Sequence, residues 1–252
     1  RDLVQTEEVL VTLERRVAKG ARPPSESEFD YAHFRLDSIS LQTSVYVAPQ
    51  NYKVHLYRFS CSSVLQPFQV QHLEGIFSLR PNELLAQDVN IQLPQSSIGL
   101  TASLKNANIF SKYFTLAGLK NKPIDLKLST TPLNMNELKF FLHPYVNFLD
   151  TAATIIVKCD GTFDAVRIEE CSVISGKTFV NLKGTLLNLH HPSDLELHVF
   201  SDESSLDPSV CRTLLRGLSL PNLDFLGTVT TSLSFDGKPK KFRAIAETQS
   251  SL

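Results

Sequence analysis

The sequence predicts a mainly β protein: an elongated, curled antiparallel β-sheet built from repeats, a β-taco groove, with a few short helices. Three observations carry that expectation. Apolar and polar residues alternate over most of the chain, turn residues punctuate the alternation at regular intervals, and one stretch is written twice. The duplicated stretch is NFLDTAATIIVKCDG at 147–161 and DFLGTVTTSLSFDG at 224–237. Each copy has Phe-Leu, a Thr-bearing alternating run and Asp-Gly, 76 or 77 positions apart (237−161, 225−148).

In chain order, Val9, Leu10, Leu13 and Val17 fall at helical spacing and stop at Gly20, so residues 1–24 are expected to form a helix and linker. Residues 25–252 are expected to form the β-repeat, in units of about 70–130, 131–204 and 205–252, the last one truncated. Ile39, Leu41, Val45 and Val47 share one face of a first strand. After a Pro49-Gln50-Asn51 turn, Val54 and Leu56 continue that face, with Lys53, His55 and Tyr57 opposite. The same period-2 pattern runs through Phe77–Leu79, Val89–Leu93, Ile98–Leu104, Ile124–Leu128, Ala153–Cys159, Val166–Ile168, Val180–Leu186, Leu195–Val199 and Val229–Phe235. Turns are expected at Arg80–Glu83, Asp160-Gly161, Ser175–Lys177, His191–Asp194 and Asp236–Pro239. Short helices are expected over Asn136–His143, with Asn136 as cap, and over Ser209–Arg216, with Asp207 as cap and Pro208 at its first position. Leu133 and Leu206 head the two at a spacing of 73. A further copy lies upstream: a shift of 82 carries Leu84, Ala86, Val89, Ile91, Ile98, Leu100 and Leu104 onto Val166, Ile168, Cys171, Val173, Val180, Leu182 and Leu186.

Composition excludes several function classes. With 42% apolar residues the chain can bury a core, and 25 Lys and Arg against 26 Asp and Glu leave no basic block to track a phosphate backbone, so nucleic acid is not expected as a partner. There is no run of about 18 apolar residues to span a bilayer as a helix. Cys61, Cys159, Cys171 and Cys211 are too scattered for a disulfide framework and read as buried free thiols. His190 and His191 are adjacent, so in a strand they point to opposite faces, and no spaced Cys or His pair completes a metal site. No nucleophile elbow and no Gly-rich phosphate loop occurs, so neither catalysis nor a cofactor is expected. Glu169-Glu170 falls where the alternation slips by one residue between Ile168 and Cys171, which reads as a β-bulge on a solvated edge rather than an acid–base couple.

A repeated apolar face must bury itself against a second sheet, a closed barrel interior or a ligand. Small inward residues, Ala86, Ala102, Ala153, Gly184 and Ala244, favour a face that protein does not fill. Roughly 14 strands side by side would advance about 65 Å, a trough able to hold whole acyl chains. The candidate groove residues are Val89, Ile91, Ile98, Leu100, Ala153, Ile155, Val157, Ile168, Val180, Leu182, Leu186, Leu197, Val229, Leu233 and Phe235. The alternative is a structural or adhesive β-repeat protein with a dry core and no lipid ligand.

The units NFLDTAATIIVKCDG, AVRIEECSVISG, TFVNLKGTLLNL and LSLPNLDFLGTVTTSLSFDG, with DSISLQTSVYVAPQNYKVHLYRFSCSS upstream, resemble the TamB proteins of the AsmA-like family over about residues 30–252. The resemblance implies an internal segment of a periplasmic protein, anchored in the inner membrane of a Gram-negative bacterium. It further implies a groove that moves phospholipid acyl chains toward the outer membrane. Support of outer-membrane protein assembly, through an outer-membrane β-barrel partner met by regions outside this chain, is implied as well.

Overall fold

A computed structural model describes residues 37–63, 68–107, 116–134, 136–137, 152–189, 191, 194–210, 227–238 and 241–250. The helix expected over 1–24 lies outside them, as do Cys211 and His190. Of the two short helices only the first residues are described, Asn136-Glu137 and Pro208–Val210, both helical.

Alternation becomes strand throughout the described chain. The strands are β1 (Asp37–Ala48), β2 (Asn51–Ser63), β3 (Phe68–Arg80), β4 (Glu83–Gln92), β5 (Ser97–Lys105), β6 (Pro123–Thr130), β7 (Leu133–Asn134), β8 (Ala152–Thr162), β9 (Ala165–Ser175), β10 (Thr178–Leu187), β11 (Glu196–Leu206), β12 (Val229–Lys238) and β13 (Lys241–Ser250). A 3-10 turn, Leu116–Leu119, lies between β5 and β6. Twelve strands form one antiparallel sheet in chain order, β1 to β6 and then β8 to β13, while β7 pairs separately with β8. Hairpin-connected antiparallel strands need only short links, which is why pairing follows the sequence so closely. Among the described residues the sheet is open, with β1 and β13 at its edges.

Four strands carry an extra residue that the partners on both sides lack. The bulges fall at Tyr57 in β2, Asp88 in β4, Glu169 in β9 and Asp202–Glu203 in β11. A bulge bends its strand and adds twist, so bulges at mid-strand height curl the sheet across its width. The deepest burial lies on the apolar face. Val89, Val166 and Leu56 on it are 3%, 2% and 9% exposed, whereas Ile174, Phe179, Phe200 and Ile245 on the other face are 38–46% exposed.

The internal repeat extends to hydrogen bonds. The shift of 82 superposes β4 and β5 on β9 and β10 and carries the Asp88 bulge onto Glu170, one residue from the Glu169 bulge. A shift of 73 brings β6 and β7 onto β11, and a shift of 76 brings β8 onto β12 and β9 onto β13. At the matched positions Ser96 Oγ accepts the Asn134 N–H at 2.8 Å and Thr178 Oγ1 accepts the Asp207 N–H at 3.0 Å. Asn134 Oδ1 and Asp207 Oδ1 then accept the N–H two residues on, from Asn136 and Ser209, each at 2.9 Å. The cap of the first helix is therefore Asn134, not Asn136, because the side chain must precede the amide that it satisfies.

Three other expectations change. Asp160 and Gly161 are not the turn but the end of β8; the turn is Phe163-Asp164. Gly161 sits at φ 124°, where a Cβ would lie 2.3 Å from the Ala165 carbonyl oxygen, so the glycine marks a close strand approach. Gly237 repeats it at φ 125°, with 2.6 Å to the Lys241 oxygen, so Asp236 to Lys238, expected in a turn, likewise form the end of β12. The Glu169 bulge lies on an interior strand, between β8 and β10, not on an edge.

Candidate functional site

Pairing in register places side chains of neighbouring strands on the same face, so period-2 strands build rows that cross the sheet. Two rows run the full twelve strands with direct pairing at every step. One is Val45, Val54, Phe77, Ala86, Ala102, Leu126, Cys159, Ile168, Gly184, Val199, Phe235 and Ala244. The next is Val47, Tyr52, Leu79, Leu84, Leu104, Ile124, Gly161, Val166, Leu186, Leu197, Gly237 and Phe242. Neither contains a charged residue. Above them a third row joins Val89, Leu100, Leu128, Val157, Cys171 and Leu182. The fourth joins Leu41, Phe59, Leu73, Ile91 and Ile98 and resumes at Ile155, Val173 and Val180 after Thr130.

All fifteen sequence-predicted residues lie on this one face. Ile91, Ile98, Ile155 and Val180 are in the fourth row, and Val89, Leu100, Val157 and Leu182 in the third. Ile168 and Phe235 belong to the first, Leu186 and Leu197 to the second. Ala153 pairs with Leu133, Val229 with Leu206, and Leu233 with Ser201, one step off the rows. Three of the fifteen are buried, Val89, Ala153 and Val229, and the other twelve are half-buried. What the sequence reading missed is the alignment that makes rows of these residues and adds Phe77, Leu126, Val199 and Val166 to them. Their alternation is visible in the sequence; their neighbours are not.

Among the described residues there is a single sheet, with no second sheet laid on the apolar face. Twelve strands make eleven steps of about 4.8 Å, so the face extends about 53 Å, shorter than fourteen strands would give. Burial is concentrated along one long edge, where Ile39, Cys61, Val70 and Leu93 pack together and Leu133 and Ala153 form a second cluster. Hydroxyls finish that side: Thr130 Oγ1 accepts the Ile155 N–H at 2.8 Å, and Ser175 donates to the Ala152 carbonyl at 3.0 Å. Cys61, Cys159 and Cys171 are free; Cys61 is buried and the other two half-buried. Burial holds all three thiols above the usual range, so they remain neutral and weakly nucleophilic.

The opposite face is charged and wet. Arg167 donates to Asp160 through Nε and Nη2, both at 2.8 Å, and to Glu169 at 3.2 Å. Hydrogen bonding to Arg167 depresses the Asp160 carboxyl. Lys158 donates to Glu170 across the β8–β9 ladder and depresses that carboxyl too. His198 contacts Asp236 through Nδ1 at 2.8 Å and Glu196 through Nε2 at 3.3 Å, and its hydrogen bond to Asp236 raises its pKa. These pairs account for Glu169 and Glu170 as ion-pair partners around a bulge. Among the described residues no group of three or more metal-ligating side chains occurs.

Comparison with protein-family models, with curated proteins and with solved structures returns no match. The geometry of the face is therefore what any functional reading rests on.

Proposed function

We propose that the apolar face is a groove that holds the acyl chains of phospholipids and lets them pass from strand to strand along the sheet. The observation that carries this reading is the pair of uncharged rows crossing all twelve strands beneath half-exposed aliphatic side chains. A protein that only needed a dry core would cover such a face, because exposed apolar surface costs about 25 cal/mol per Å². An acyl chain covers it equally well, gaining about 0.8 kcal/mol per buried CH₂. Lateral movement needs no catalyst, since successive steps along a row offer nearly equivalent apolar surroundings.

The TamB-like sequence pattern agrees with this reading and extends it: the chain would be a segment of an inner-membrane-anchored, periplasm-crossing AsmA-like protein. It would deliver phospholipid toward the outer membrane and support outer-membrane protein assembly with a β-barrel partner.

Photocrosslinking residues at Val157, Leu182 and Leu233, with Lys158, Lys183 and Ser232 of the opposite face as controls, test the groove. Lipid adducts confined to the first three are expected, and equal labelling on both faces would overturn the reading. Arg at the same three positions is expected to stop transfer between vesicles while strand content by circular dichroism persists, because a charge there meets hydrocarbon. An adduct-free protein that also purifies without phospholipid in native mass spectrometry would favour the dry structural repeat.

A further inference from the structure

The two long edges of the groove are not alike. Along the edge formed by Ile39, Cys61, Val70, Leu93, Leu133 and Ala153 the apolar face is closed. Along the opposite edge, where the β1–β2 and β3–β4 turns lie, Val47 is 63% and Leu84 44% exposed, against 8% for Ile39 at the other end of β1. Among the described residues this edge is covered beside the β5–β6 connection, where Ala107, Leu119 and Val166 are buried. A lipid lying in the groove would have to project its headgroup over the open edge.

Charge divides along the same line. Three described carboxylates at the open edge have a Lys or Arg partner, Glu83 with Arg80 at 3.0 Å, Asp164 with Lys120 at 3.5 Å and Asp194 with Lys238 at 3.4 Å, while Glu196 shares His198 with Asp236. Three cations exceed that pairing. Lys105 ends β5 in register with Glu83 and Lys241 opens β13, each next to a second-row residue (Leu104, Phe242) and so on the outer side of the lip, while Lys122 precedes β6; none of the three makes an ion pair among the described residues. Among the described residues the closed edge has the opposite balance, with Glu137, Asp202, Glu203 and Asp207 against Lys177.

Resting on the groove reading above, we infer that the open edge selects anionic phospholipids, whose phosphates lie against Lys105 and Lys122 on neighbouring strands or against Lys241 six strand steps, about 29 Å, further along the lip, while the tails lie on the rows beneath. Exposed aliphatic and aromatic side chains next to surplus lysines give both halves of such a lipid a partner on one lip. Zwitterionic headgroups gain less there, because their own ammonium group meets the same lysines.

The test is equilibrium binding of dioctanoyl-phosphatidylglycerol and dioctanoyl-phosphatidylcholine, which share tails and differ in headgroup charge, to the purified chain. Phosphatidylglycerol is expected to bind at least about fivefold more tightly at low salt, a preference that shrinks as salt rises. The triple variant Lys105→Gln/Lys122→Gln/Lys241→Gln should bring it down to the phosphatidylcholine level, with circular dichroism unchanged, whereas Lys177→Gln at the closed edge should leave it intact. Equal binding of the two lipids, or a preference that survives the triple variant, overturns the headgroup inference and leaves the groove standing. Binding of neither lipid overturns both.

Discussion

The β8–β9 and β12–β13 hairpins are the same device in two settings. Both close on a glycine at φ near 125° that sits tight against the carbonyl of the returning strand, and both place Asp and Arg in register one step inward, Asp160 with Arg167 and Asp236 with Arg243. They differ in their neighbours. β9 is flanked by β8 and β10, so Val166 is 2% exposed; β13 is the sheet edge, so Phe242, its counterpart 76 positions on, is 55% exposed. The same strand pattern thus buries or displays its side chain according to whether a further strand lies beside it. Burial in this molecule is a property of the array more than of the local sequence.

The comparison can be broken first at the glycines. Gly161→Ala forces a Cβ to within 2.3 Å of a backbone oxygen at a left-handed φ. A loss of about 3 kcal/mol in urea unfolding is expected from that clash and strain. Gly237→Ala meets the same clash, but its edge strand can peel away to relieve it, so about half that loss is expected. Equal losses would mean that the edge hairpin is held as firmly as the interior one. Next come the counterpart side chains. Val166→Ala removes buried methyl groups and should cost about 1.5 kcal/mol, while Phe242→Ala should cost less than about 0.5 kcal/mol.

The smallest effects are electrostatic and differ in sign. Asp160 is depressed by Arg167, so its contribution is present above the ordinary carboxylate pKa and is lost as pH falls through the lowered value. His198 is raised by Asp236, so its contribution is complete below the ordinary imidazole pKa and is lost as pH rises through the raised value. Urea midpoints measured from acid to mildly alkaline pH should therefore flatten at the acid end in Asp160→Asn and near neutrality in His198→Gln. Both groups are solvated, so each change should be a small fraction of the whole.

Strands and repeat were legible because period 2 and the 73-, 76- and 82-residue spacings are written directly in Leu133, Leu206, Val157, Leu233, Val89 and Cys171. Strand order was not, since alternation is the same whichever strand lies alongside. The slip at Glu169 betrayed a bulge, and the equivalent slip from Ala86 to Val89 signals the one at Asp88, yet a slip alone does not say whether its strand is central or at an edge. Asp-Gly favours a turn by local preference, but at Gly161 a tertiary approach by Ala165 decides the conformation. Which edge of the groove is open depends on residues far apart in the chain, such as Ile39 beside Leu93, and no local pattern carries it.

Strand order that follows chain order has a kinetic consequence. Each hairpin can form from neighbouring residues and recruit the next, so loop closure stays inexpensive and growth can start anywhere and zip outward. Unzipping runs the other way. β1 and β13, each held on one side only, should be the first strands to exchange their amide protons, with protection rising toward the interior of the ladder.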